Sequence, residues 1–162
     1  MIRVGSGIDV HAFGPGDAVT LAGVRIAHTH GLVAHSDGDV VLHALCDALL
    51  GAAGLGDIGE HFPDTEPRWR GADSRQFVAA VLAMLRERGW QVVNADVTVL
   101  AQVPRLAPHR AVMRAALGEV LQLPVDAVNI KATTTEHLGF TGRREGVLAH
   151  AIVLIATTLT DA

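Results

Sequence analysis

The sequence predicts an α/β fold: a single domain over residues 1–162, built as one mixed β-sheet with helices packed on one of its faces. Three observations lead there. Segments with two-residue apolar alternation take turns along the chain with segments whose apolar residues recur three and four apart. The helical segments carry apolar stripes, so each has a face to bury. The last segment, 147–159, is apolar on both faces for too long to lie in a one-sided sheet, so its second face must be covered, and a partner subunit is the expected cover.

Residues 1–11 alternate, with Ile2, Val4, Ile8 and Val10 pointing one way and Asp9 and His11 the other. Gly5 and Gly7 interrupt this strand and predict a neighbour passing close to its backbone. Residues 13–17 are a turn, and 19–21 and 24–26, split by Ala22-Gly23, form a short hairpin. His28 and His30 follow in a polar loop and read as surface histidines. After the loop from His35 to Asp39, the spacing predicts a helix over 39–53 with Asp39 as N-cap and Gly54 and Gly56 as stops. Leu42, Leu45, Leu49, Ala52 and Ala53 form its buried stripe, while Asp39, His43 and Asp47 share another face. Residues 57–67 are too rich in Gly, Pro and Asp for a regular element and read as a loop. Asp73-Ser74-Arg75-Gln76 has capping-box character and opens a helix to Arg88, closed by Gly89, with Phe77, Val78, Val81, Leu82 and Leu85 inward. Residues 91–102 are a strand with Val93, Ala95, Val97, Val99 and Ala101 on one face. Pro108 suits the first turn of a helix over 108–122, which Pro124 ends. A strand over 128–134 runs into Thr133-Thr134-Thr135-Glu136, a glycine-punctuated turn covers 139–146, and the last strand follows.

The net charge of −4 and the 4% aromatic content argue against nucleic-acid binding. Apolar residues make up 49% of the chain, enough for a core without disulfides, and the lone Cys46 reads as a small core residue in a reducing compartment. With no apolar run long enough to span a membrane and no signal peptide, the expectation is a soluble cytoplasmic protein.

Seventeen glycines and nine histidines are the compositional oddities, and the histidines carry the chemistry. Asp9, His11 and His43 offer a carboxylate and two imidazoles from a strand and a helix. Three protein ligands leave a fourth position open, the pattern of a catalytic metal site, and zinc or non-haem iron both suit it. Asp39 or Asp47 is placed to hold the other nitrogen of His43. The run Thr133-Thr134-Thr135-Glu136 brings hydroxyls for phosphate oxygens and a carboxylate for a second cation, with Lys131, Arg105 and Arg143 as positive charge nearby.

Six motifs, in order, carry a resemblance: Gly7 to His11, HSDGD from His35, LGDIG from Leu55, FPDT from Phe62, ATTTE from Ala132 and GFTGR from Gly139. Together they resemble the 2-C-methyl-D-erythritol 2,4-cyclodiphosphate synthase family of the non-mevalonate isoprenoid pathway, nearly end to end. The resemblance implies release of CMP from 4-diphosphocytidyl-2-C-methyl-D-erythritol 2-phosphate with closure of a cyclic diphosphate. It also implies a homotrimer with active sites between subunits. A zinc phosphohydrolase, and a non-catalytic trimer that binds isoprenoid diphosphates, stand as alternatives.

Carried over by position, the resemblance assigns Asp9, His11 and His43 to zinc, one ion per subunit, and Glu136 to a second divalent ion, magnesium or manganese. Asp9 and His11 also belong to its substrate contacts. It assigns His35 and Thr134 to catalysis through transition-state stabilisation, and Asp57 and Gly59 to ribose. Ser36, Ile58, Phe62, Pro63, Asp64, Thr65 and Glu66 complete the implied substrate contacts on this side. A cytidine pocket from a neighbouring subunit falls on Ala101, Gln102, Val103 and Pro104, then Arg105, Leu106 and Ala107, together with Ala132, Thr133 and Thr134. Thr135, Phe140 and Arg143 complete the set. Arg105 and His137 stand where the family commonly has lysine, and Ile8 where an aromatic occurs. On the trimer axis the last strand would line an apolar channel for an isoprenoid diphosphate, its charge held by Arg143.

Overall fold

The computed structural model describes residues 1–157, so the predicted strand end at Leu159 lies outside the described residues. The elements run β1 (Ile2–Gly14), the hairpin β2 (Ala18–Leu21) and β3 (Val24–Ala27), β4 (Gly31–Leu32), α1 (Val40–Ala53), α2 (Ile58–His61), α3 (Arg75–Glu87), β5 (Trp90–Leu100), α4 (Arg110–Leu121), β6 (Val128–Thr133), α5 (Gly139–Gly142) and β7 (Gly146–Thr157). Five strands form one sheet in the order β4-β1-β7-β5-β6. β1 and β5 pair antiparallel with β7, whereas β5 and β6 pair parallel, so the sheet is mixed as predicted. A parallel pair needs a long crossover, and α4 supplies it.

The helices cover one face. Val147, Ala149, Ala151, Val153 and Ile155 of β7 are buried beneath them, as are Ala95, Val97 and Val99 of β5. α1 lies across β1 and β7, and Gly5 and Gly7 let it settle there. A Cβ added at Gly5 would lie 1.8 Å from the Ala48 carbonyl oxygen, and one at Gly7 would lie 2.1 Å from that of Ala44. That contact sets the height of His43 above Asp9 and His11. α1 is buried almost all round rather than along one stripe, because the β2–β3 hairpin and α3 close over it.

β1 alternates as the sequence predicts, and its apolar row is the face turned away from the helices: Ile2, Val4, Ile8 and Val10 are 45–69% exposed, and Ile152 of β7 joins them. Several other elements depart from the sequence reading. A register shift between Val92 and Asn94 sends Val93 out to solvent. Residues 58–61 form a helix rather than a loop, because Asp57 caps the Glu60 amide. The last strand begins at Gly146 after a short helix. α4 starts two residues late, at Arg110, behind a 3-10 turn at Ala107–His109. The capping box at 73–76 does not form: Asp73 pairs with Arg75, and the Ser74 hydroxyl makes no cap.

Candidate metal centre and its two cavities

Asp9 and His11 stand two residues apart on the helix-facing side of β1, opposite Ala149 and Val147 of β7. His43 descends from the first turn of α1. The three meet with His11 Nε2 3.0 Å from Asp9 Oδ2, His43 Nδ1 3.1 Å from the same oxygen, and the two nitrogens 3.2 Å apart. This near-equilateral triangle fits a metal: ligands roughly 2.0–2.1 Å from a tetrahedral ion lie about 3.3 Å from one another.

The electrostatics agree with that reading. Burial would raise the Asp9 carboxyl, but hydrogen bonds and charge from His11 and His43 outweigh it and hold Asp9 well below the ordinary carboxylate range. Burial would lower His11, yet its hydrogen bond to Asp9 and the charge of that carboxylate raise it overall. The remaining nitrogen of His11, Nδ1, lies 3.0 Å from the Val33 carbonyl, which can only accept, so in the neutral ring Nε2 is the bare nitrogen facing the triangle.

Neither carboxylate expected behind His43 is there. Asp39 is fully buried and accepts from the amides of Ala22, Gly23, Val41 and Leu42, tying the β2–β3 turn to the start of α1. Burial pushes its carboxyl up to about 6, against those amides. Asp47 accepts from the Ile58 amide and so anchors α2. His43 Nε2 instead meets the hydroxyls of Ser74, at 2.9 Å, and Ser36, at 3.1 Å. The sequence reading missed Ser74 and Asp37; HSDGD and the failed capping box were the available signals.

A cavity of about 700 Å³ opens beside the triangle. Its walls bring together His11, His43, His35, Ser36, Ile58, Gly59, Phe62, Pro63 and Asp64, with Val33, Ala34, Trp69 and Phe77 not foreseen. Phe62, Trp69 and Phe77 pack ring on ring at 4.9–5.4 Å, which gives this cavity an aromatic wall. His35 is exposed, 3.8 Å from Asp64. Thr65 and Glu66 do not line the cavity, and Asp57 is engaged as a cap.

A second cavity, about 180 Å³, is lined by Ala101, Gln102, Pro104, Arg105, Leu106, Ala107, Arg110, Ala132, Thr133 and Thr134. Glu136 stands next to it, accepting from the Thr134 hydroxyl at 3.2 Å. Val103 does not line this cavity, nor does Thr135, whose hydroxyl meets Thr141. Phe140 and Arg143 belong to neither cavity. Arg143 grips Glu145 of its own chain through two hydrogen bonds. Lys131 is likewise engaged, with Asp96.

The two cavities do not meet within one chain. The triangle sits on β1 and the threonine run at the end of β6, with β7 and β5 between them.

Three converging ligand atoms beside a cavity form a group that could hold a divalent metal on an α/β scaffold. The sequence profile of the YgbB family matches residues 2–156, and the chain belongs to that family. A relative from Pseudomonas aeruginosa (strain UCBPP-PA14), named 2-C-methyl-D-erythritol 2,4-cyclodiphosphate synthase, is 62% identical over 95% of this chain and 98% of its own length. Among solved structures, the bifunctional IspDF from Campylobacter jejuni superposes with a TM-score of 0.93 at 45% identity. That match covers 97% of this chain but 42% of the longer one. A 2C-methyl-D-erythritol-2,4-cyclodiphosphate synthase in its CDP-bound form gives a TM-score of 0.88 at 40% identity, covering 95% of this chain and all of that one.

Proposed function

We propose that this chain converts 4-diphosphocytidyl-2-C-methyl-D-erythritol 2-phosphate to 2-C-methyl-D-erythritol 2,4-cyclodiphosphate and CMP, as a phosphorus–oxygen lyase of the non-mevalonate isoprenoid pathway. The observation that carries this is the Asp9–His11–His43 triangle at the wall of the larger cavity, in a chain whose relatives bear that enzyme's name. We assign zinc to the triangle, one ion per subunit, and magnesium or manganese to Glu136. Bound there, the cations neutralise phosphate charge and polarise the phosphorus under attack.

The chain's own residues do the rest. The nucleophile is an oxygen of the substrate's 2-phosphate, ionised near neutral pH because its second pKa is about 6, so no general base is needed. It bonds to the β-phosphorus while the bond from that phosphorus to the bridging oxygen breaks, and CMP leaves with the electron pair. His35 and Thr134 donate hydrogen bonds where charge gathers on the transferring phosphoryl group. The aromatic wall of Phe62, Trp69 and Phe77 excludes water, and the 57–66 segment holds the two reacting ends in line.

The cytidine end is assigned to the second cavity of a neighbouring subunit. Support comes from the separation of the two cavities within one chain and from the exposed apolar sheet face, which a homotrimer would cover. We place this trimer, each copy a single domain over 1–162, in the cytoplasm. Among the described residues no helix is long and apolar enough to cross a membrane. On the trimer axis we assign an isoprenoid diphosphate to Arg143, which must then exchange Glu145 for the ligand. Calorimetric titration of geranyl diphosphate should give heat with wild type and none with Arg143→Ala; equal binding by both would remove that assignment.

The activity is tested by following CMP and cyclic product from the cytidylated substrate, with chelator and after zinc is restored. Turnover should vanish and return. Turnover indifferent to exhaustive metal removal would exclude the metal-dependent reading.

A further inference from the structure

His43 is held on both sides, and the side away from the triangle is the more informative. Its Nε2 lies 2.9 Å from the hydroxyl of Ser74, the residue before α3. Serine in that position ordinarily accepts from the amides of the helix's first turn. Ser74 makes no such cap. It is fully buried, and its hydroxyl lies 2.5 Å from Asp37 Oδ1 while its amide donates to Asp37 Oδ2 at 3.1 Å. Asp37 is fixed in turn: its amide donates to the Ala72 carbonyl, and its carboxylate accepts from the Asp39 amide.

A carboxylate can only accept, so the single Ser74 proton is committed to Asp37. The Ser74 oxygen is then left to accept, and the atom facing it must bring a proton. That atom is His43 Nε2. Neutral imidazole carries one N–H, so Nδ1, the atom in the triangle, keeps its lone pair. The Ser36 hydroxyl, 3.1 Å from the same nitrogen, accepts from the Gly38 amide but has its own proton free, so it cannot fix the direction alone.

We propose that Asp37 and Ser74 are positioning residues that hold His43 in the tautomer presenting Nδ1 to the metal. The proposal rests on the metal reading of the triangle. It separates the two aspartates of HSDGD: Asp39 builds the helix, whereas Asp37 acts on the metal through Ser74.

The test uses the full chain, stripped of metal, as wild type, Ser74→Ala, Asp37→Asn and the hydroxyl-retaining Ser74→Thr. Two readouts are taken: zinc affinity by competition with a chromophoric chelator, and the His43 tautomer by long-range proton–nitrogen NMR of the metal-free protein. Wild type should show the Nε2–H form. Ser74→Ala and Asp37→Asn should lose that preference and bind zinc roughly 10–100-fold more weakly. Ser74→Thr should recover both properties. Melting of the metal-free variants separates lost folding from lost positioning. An Nδ1–H tautomer in wild type, or wild-type zinc affinity in both folded variants, would overturn the proposal. A wild-type chain that shows the Nε2–H form yet binds no zinc would instead overturn the metal reading and leave the relay as a structural contact only.

Discussion

One buried carboxylate, Asp39, satisfies four backbone amides from two elements. Asp39→Ala leaves all four without a partner in a dry site, so denaturant unfolding should show a loss of about 3–5 kcal/mol, well beyond a simple N-cap deletion of roughly 1. A loss under about 1 kcal/mol would mean that water replaces the side chain. His11 gives a second prediction. Asp9 raises its affinity for a proton, and a metal must displace that proton to bind Nε2. Zinc affinity should therefore fall about tenfold per pH unit below the raised His11 value and level off above it. Affinity that stays flat on acidification would remove His11 from the ligand set. At this scale the triangle was legible, since alternation in β1 and a helical start at Asp39 suffice to bring Asp9, His11 and His43 together. Their supports were not. Ser74 and Asp37 meet His43 only because the loop before α3 folds back across the start of α1, and no local spacing records that return.

Among the elements, the contact of α1 with β1 sets the geometry of the triangle. Gly7→Ala puts a methyl 2.1 Å from a helix carbonyl, so strand and helix must separate. Overpacking of this kind costs roughly 1–3 kcal/mol or more, and it moves His43 away from Asp9. Gly7→Ala should thus lower both the melting temperature and zinc affinity; a variant that melts lower yet binds zinc as before would uncouple the packing from the site. The two glycines were readable as a close approach, but their direction was not. Ile2, Val4, Ile8 and Val10 are the apolar row a reader would send to the core, and they face outward because the glycine row admits the helix. α2 escaped notice because four residues are too few for a periodic signal, and its stability comes from the side chains of Asp57 and Asp47.

For the molecule as a whole, the separation of the two cavities and the bare apolar sheet face both support the proposed trimer. Sedimentation should give about 51 kDa, three times the 17.0 kDa chain. Ile152→Glu, placed on the exposed face, should give monomers that still bind zinc but have lost turnover. Active monomers would show that one chain holds a complete site. The apolarity of the last strand was legible in the sequence, while the distance between β1 and β6 appears only once the strand order is known. Phosphorus NMR of the product reads the proposed ring closure at the Asp9–His11–His43 triangle directly. Wild type should yield CMP and cyclic diphosphate in equal amounts from the cytidylated substrate, and folded, zinc-free His43→Ala should yield neither. An open-chain bisphosphate in place of the ring, or no CMP at all, would contradict it.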